Sequence, residues 1–175
     1  MLEAKIFSAI VLAPFGFIGV RTEDNLIIEL VYLPPRFAEK EPTDAAAALA
    51  QEQLTRYFSQ VNFQFQLPLK QVGTAFQQRV WQAIAAIPCG EVRTYGQIAK
   101  HIKSAPRAVG QACGANHFPL VIPCHRVTAA GGLGGFAHHA DETGFHLGVK
   151  RYLLGFENVP AYMLNSTQES LWQSS

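Results

Sequence analysis

Three consecutive residues, Cys124-His125-Arg126, set a thiol beside an imidazole and a fixed cation, directly after Pro123. Such a set suits nucleophilic chemistry. The thiolate is the reactive form of cysteine, and a free thiol of pKa near 8.5 is only about 3% ionised at pH 7. A neighbouring cation or imidazole that lowered this pKa by about two units would make most of it reactive. Pro123 fixes its own φ and restricts Ile122, so Cys124 is expected at a rigid turn. Adjacent side chains rarely face each other, so His125 is expected to act on Cys124 through a water or a bent turn, with a third group orienting the imidazole. The other reading is a buried apolar cysteine with a histidine placed beside it by packing. The pair alone leaves both open.

The other cysteines, Cys89 and Cys113, bring the total to three, an odd number without paired spacing. That fits a reducing compartment better than a disulfide framework, and both are expected to be structural. Charge is uneven along the chain. Residues 1–70 hold six Lys/Arg against eight Asp/Glu, whereas residues 88–127 hold five basic residues against Glu91. The local excess suits an anionic partner through phosphate contacts, or is an ordinary solvated basic face. With 15% charged and 49% apolar residues, the chain is compact and globular rather than disordered, since soluble domains carry roughly 25% charge. Residues 6–20 are largely apolar, but Glu3 stands where a signal peptide has a basic flank, and Pro14 and Gly16 interrupt the run. No stretch reaches the roughly 20 apolar residues of a membrane span. A cytoplasmic protein without a membrane association is expected.

The elements that must position these residues fall into two groups. Residues 5–12, 17–21 and 26–32 read as strands, with a polar turn at 22–25. Thr43 or Asp44 can cap a helix to about Ser59, with Leu49, Leu54 and Phe58 on its buried side, and Val61, Phe63, Phe65 and Leu67 alternate as a further strand would. After Gly73 the pattern turns helical. Thr74 can cap residues 75–86, Thr94 can cap 95–102, and a short link at 103–105 leads to 106–115. The last two helices match a helix-turn-helix, or a helical hairpin with no DNA role. The second is rich in Ala and Gly, with only Arg107 and Gln111 able to hydrogen-bond a base edge. Small residues permit close, sequence-independent approach to a minor groove, or packing on a neighbouring helix.

Pro123-Cys124-His125-Arg126-Val127 resembles the active-site signature of the O6-alkylguanine-DNA alkyltransferases, the methylated-DNA–protein-cysteine methyltransferases. Gly73-Thr74-Ala75-Phe76-Gln77, Val80-Trp81, Ile87-Pro88, Gly90, Thr94-Tyr95-Gly96 and Ile98-Ala99 continue the resemblance. So do Arg107-Ala108-Val109-Gly110, Asn116, Lys150, Leu153-Leu154 and Glu157. The first 70 residues resemble the family only in layout. The resemblance implies an α/β protein with three parts. Residues 1–70 would form a small α/β domain, an antiparallel sheet plus a helix. Residues 73–158 would form a mostly helical DNA-binding and acceptor domain with a winged-helix-like helix-turn-helix, and residues 159–175 a tail.

It further implies stoichiometric, irreversible transfer of an alkyl group from O6-alkylguanine, and from O4-alkylthymine, in DNA to Cys124. His125 would deprotonate Cys124 through a water, Glu157 would orient His125, and Asn116 would bridge the helix and the loop. Tyr95 would crowd the flanking phosphate and donate to guanine N3, lowering the cost of charge left on the base. Arg107 would fill the place of a flipped nucleotide, with Thr94, Ala108, Gly110, Gln111 and Arg126 also against DNA. Main-chain groups of Cys124, Val127 and Ala137, with Pro119 and Phe136 as apolar walls, would hold the base. The expected partner is duplex DNA containing alkylated guanine, bound by a monomer through the minor groove without strong sequence preference, and no cofactor is expected. A damage sensor that binds alkylguanine without repairing it, and a cysteine hydrolase, are the alternatives.

The chain departs from the family after Ala137, where several residues are inserted before Leu147, among them His138, His139, Asp141, Glu142 and His146. They are expected to form a longer lip on the pocket. Their irregular spacing reads as solvated surface rather than a metal site, and with no cysteine before Cys89 no zinc site is expected in the first domain.

Overall fold

The computed structural model describes residues 3–134 and 144–162. The backbone divides into two units at Gln71/Val72. The first is built on an antiparallel sheet in the order β1 (Ala9–Ala13), β2 (Gly16–Glu23), β3 (Leu26–Leu33). Gly16 turns the first hairpin at φ 143°, where a Cβ would collide with the Leu33 carbonyl. Asp24 and Asn25 turn the second with φ of 52° and 58°, the doubly left-handed geometry that Asp and Asn tolerate and that matches strand twist. Helix α1 (Ala45–Tyr57) is capped by Asp44, whose carboxylate accepts the Ala47 N–H at 2.8 Å. Its buried face is Ala46, Ala47, Ala50, Leu54 and Tyr57 rather than Leu49 and Phe58, because the small alanines let the helix sit close against β1 and β2.

The strand expected over residues 61–67 does not form. The buried side chain of Gln53 accepts the Gln66 N–H and donates to the Gln66 carbonyl, both at 2.8 Å. An amide side chain on α1 thus takes the main-chain groups that a neighbouring strand would have taken. The alternating aromatics pack instead on the helix and each other, with Phe65 5.6 Å from the Tyr57 ring.

The second unit is mostly helical. Its elements are α2 (Ala75–Ala85), β4 (Arg93–Thr94), α3 (Tyr95–Ile102), α4 (Pro106–Gly114), β5 (Val127–Thr128) and α5 (Phe145–Phe156). Thr74 with Gln77, and Thr94 with Gln97, form reciprocal capping boxes on α2 and α3. Helix α2 braces the next two helices. Trp81 Nε1 donates to the Ala112 carbonyl of α4 at 2.8 Å, and Arg79 donates to the Ile102 carbonyl of α3 at 2.6 Å. Lys103 ends α3 in the left-handed conformation, which brings the chain directly into α4 at Pro106.

Candidate active site

A two-residue parallel ladder, Arg93↔Val127 and Thr94↔Thr128, joins the start of α3 to the chain just after Cys124. Cys124, His125 and Arg126 form a single 3-10 turn. The turn is tied to α4 by Asn116, which sits just past the helix. Its Nδ2 donates to the Ile122 carbonyl at 2.9 Å and to Cys124 Sγ at 3.1 Å, while its Oδ1 accepts the Phe118 N–H at 2.9 Å. Cys124 is 6% exposed and His125 wholly buried.

His125 Nε2 lies 2.9 Å from Glu157 Oε1. A carboxylate can only accept, so Nε2 carries the hydrogen and Nδ1 keeps a lone pair. No described residue hydrogen-bonds that Nδ1. Burial lowers the His125 pKa, against the opposing pull of Glu157, so the ring is a neutral base at neutral pH. Burial would raise the Glu157 carboxyl, but the charges and hydrogen bonds of His125 and Arg126 outweigh it and hold the carboxyl well below the usual range.

Arg126 is turned inward. Its Nε and Nη2 donate to the two Glu157 oxygens at 2.9 Å each, and Nη1 donates to the Ile87 carbonyl at 2.7 Å. Its side chain is 13% exposed. This differs from the DNA contact expected from the sequence, because three of its nitrogens are already committed to buried acceptors.

Cys124 departs from expectation too. A hydrogen bond with the Cys113 thiol, then burial, raise its pKa well above that of a free thiol, while the Asn116 hydrogen bond and the Lys150 charge pull it down. The resting group is therefore a thiol that needs a base. Cys113 and Lys150 were not expected in the site. Cys113 is 9% exposed, and its carbonyl accepts from Cys124 Sγ at 3.7 Å. Lys150 is completely buried on α5, with Nζ 5.8 Å from the centre of the Tyr95 ring. Burial lowers its pKa to about 8 against the opposing effect of Cys113 and Cys124. A lone cation in the buried stripe Val149, Leu153, Leu154 was the available signal, whereas nothing in the spacing of Cys113 marked it.

Tyr95 opens α3 half-buried, and burial, followed by the two thiols, pushes its hydroxyl up to about 12, so it stays a donor. A Cβ on Gly134 would meet this ring at 3.0 Å and its hydroxyl at 3.3 Å. The Thr94 hydroxyl accepts the Gln97 N–H at 3.0 Å as the α3 cap. On α4, Val109, Ala112 and Cys113 face inward, Ala108 and Gly110 are partly exposed, and Arg107 and Gln111 are exposed. The outward face thus consists of small residues flanked by two hydrogen-bonding side chains. Pro119 is partly exposed and Val127 buried. Phe136, Ala137 and residues 138–143 lie outside the described residues.

The family described as 6-O-methylguanine DNA methyltransferase, DNA binding domain, matches residues 75–159. The chain is 40% identical over 127 residues to a methylated-DNA–protein-cysteine methyltransferase of Mycolicibacterium paratuberculosis, covering 69% of this chain and 76% of that protein. The chain belongs to the methylated-DNA–protein-cysteine methyltransferase family. Within it, regulatory protein ada of Salmonella typhimurium is 46% identical over 135 residues, which are 74% of this chain but only 35% of that longer protein. The crystal structure of Mycobacterium tuberculosis OGT in complex with DNA superposes with a TM-score of 0.67 at 36% identity, covering 88% of this chain and 95% of that one. Among the described residues the chain is an α/β protein with a three-stranded antiparallel sheet and five α-helices, similar in fold to that structure.

Proposed function

We propose that the protein repairs DNA by transferring the alkyl group of O6-alkylguanine, and of O4-alkylthymine, irreversibly to Cys124. The observation that carries this reading is a Cys124 thiol held by Asn116 in the same 3-10 turn as a neutral, carboxylate-oriented His125. His125 Nδ1 takes the Cys124 proton through a water. The thiolate attacks the alkyl carbon, an S–C bond forms, and the C–O bond breaks with its electron pair left on the base. Tyr95 donates to the base as that charge develops, and the Lys150 ammonium offsets both the thiolate and the departing anion. Reversal would require the thiolate to leave from an unactivated thioether carbon, so each molecule acts once.

DNA access depends on the second unit. Helices α3 and α4 act as a helix-turn-helix of winged-helix type, with the small-residue face of α4 in the minor groove. Arg107 fills the stack behind the flipped base, and Thr94, Gln111, Ala108 and Gly110 lie along the backbone. Pro119 and Val127 bound the pocket, while the walls expected at Phe136 and Ala137 lie outside the described residues. Residues 1–70 form a supporting domain, 73–158 carry binding and chemistry, and the protein acts as a monomer in the reducing cytoplasm, where an acceptor thiol persists.

The test is incubation with duplex DNA containing O6-methylguanine, followed by intact and peptide mass measurement. One methyl replacing one hydrogen on the Cys124 peptide, absent in Cys124→Ser, is expected. Binding of the modified duplex without any mass gain would make the protein a damage sensor and overturn the transfer reading.

A further inference from the structure

The acceptor thiol has a second thiol against it. Cys124 Sγ donates to the Cys113 carbonyl at 3.7 Å, and the neighbouring Cys113 side chain is the largest influence raising the Cys124 pKa. Both residues are buried, and Lys150 acts electrostatically on both. Burial, then the Glu157 and Arg126 charges, act on Cys89, and neither Cys113 nor Cys124 is among the groups that do. A sulfur activated to attack an alkyl carbon also attacks the oxygen of a peroxide. The fate of the sulfenic acid so formed depends on its neighbours. Beside a thiol it closes to a disulfide, whereas without a partner it proceeds to sulfinic and sulfonic acids that are not recovered. For an acceptor used once, that second course removes the molecule from service before it meets DNA.

We propose that Cys113 is a resolving cysteine, making Cys113–Cys124 a reversible modification site that reacts with hydroperoxides and closes to an intramolecular disulfide. The inference rests on the reading of Cys124 as the nucleophile. In the first step the Cys124 thiolate displaces hydroxide from hydrogen peroxide, giving the sulfenic acid. In the second the Cys113 thiol displaces the sulfenic oxygen as water and the S–S bond forms. Two electrons leave the cysteine pair and reduce the peroxide. A dithiol reductant reverses the bond by two exchange steps. The sulfurs must draw together to roughly 2.05 Å, which releases the Asn116–Sγ hydrogen bond while the Asn116–Ile122 bond keeps the turn on α4.

The experiment uses the full chain. Methyl uptake from O6-methylguanine duplex is first measured on reduced protein, which tests the acceptor reading by itself. A separate reduced sample receives a few equivalents of hydrogen peroxide and is analysed by intact mass and non-reducing peptide mapping. Expected are a loss of two hydrogens, a Cys113–Cys124 cross-linked peptide, loss of methyl uptake, and its return to the untreated level with dithiothreitol. Cys113→Ala and Cys113→Ser, treated identically, gain two or three oxygens on Cys124 and are not restored. A wild-type protein that accumulates oxygens on Cys124 irrecoverably, or that cross-links through Cys89, overturns the proposal. The wild-type peptide map decides this even where a variant fails to fold.

Discussion

Replacing Glu157 with Gln keeps the shape of the group and removes its charge. Glu157 accepts three hydrogen bonds at 2.9 Å, from His125 Nε2 and Arg126 Nε on one oxygen and from Arg126 Nη2 on the other. A Gln oxygen in the shared position retains the first two, but its amide nitrogen then faces Arg126 Nη2, donor against donor. A guanidinium only 13% exposed is left without a carboxylate. Breaking a largely buried pair in this way costs about 3–5 kcal/mol. For a domain the size of the second unit each kcal/mol is worth roughly 4–8 °C, so its melting falls by roughly 12 °C or more. The catalytic effect has a different origin. His125 keeps its position, but the imidazolium formed on taking the Cys124 proton loses its counter-charge. A general base contributes about 10²–10⁴ in rate, so single-turnover methyl transfer slows by at least the lower figure. Circular dichroism melting and a quenched methyl-transfer time course read the two effects separately. The double variant Glu157→Gln with Arg126→Met removes the stranded cation and should recover part of the stability but none of the rate. The stability difference between wild type and Glu157→Gln has a defined pH course. Because the folded carboxyl sits below its unfolded pKa of about 4.3, the advantage is full above that pH and is lost on acidification below it. A folded Glu157→Gln protein that transfers methyl at the wild-type rate would refute Glu157 as the orienting group.

Burial of neutral His125 makes the transfer rate level from about pH 6.5, its unperturbed pKa, up to about pH 8, where Lys150 loses its charge, and falling as acid approaches its lower folded value. Stability declines over the same window, because the unfolded chain takes up the proton first. Rate–pH profiles and melting curves check both. Lys150→Met should slow transfer at pH 7 by about 10²-fold, the lower figure for removing one preorganised stabilising group. That deficit narrows above pH 8, where Lys150 in the wild type is itself neutral. The same variant melts no lower than wild type, and its stability advantage is greatest below pH 8, where the wild type buries an ammonium. Arg107→Ala, on an exposed side chain, should leave melting unchanged and slow base extrusion by about tenfold, since unstacking a base costs a few kcal/mol. Fluorescence of 2-aminopurine beside the lesion reports the extrusion, and an unchanged signal would remove Arg107 from that role.

What could be read without the fold was local. Pro123 and the Cys124-His125 pair marked the turn, Thr74 and Thr94 marked two helix starts, and Asp24-Asn25 lay in the expected polar turn. Each is a short-range effect of backbone sterics or of a side chain capping its own next turn, so neighbouring residues suffice to specify it. Alternation in residues 61–67 was equally regular and misled, because whether extended chain joins a sheet depends on what lies alongside, and Gln53 lay there. Arg126 looked available to a phosphate until Glu157, some thirty positions later in the chain, took its guanidinium. Lys150 and Cys113 entered the site only when α5 and the end of α4 closed around the Cys124 turn. The sequence therefore suggested a thiol with an imidazole beside it, on which the chemistry proposed at Cys124 rests. Its protonation, its second thiol and its buried cation were decided by tertiary structure, because burial and charge proximity depend on contacts that no spacing in one chain records.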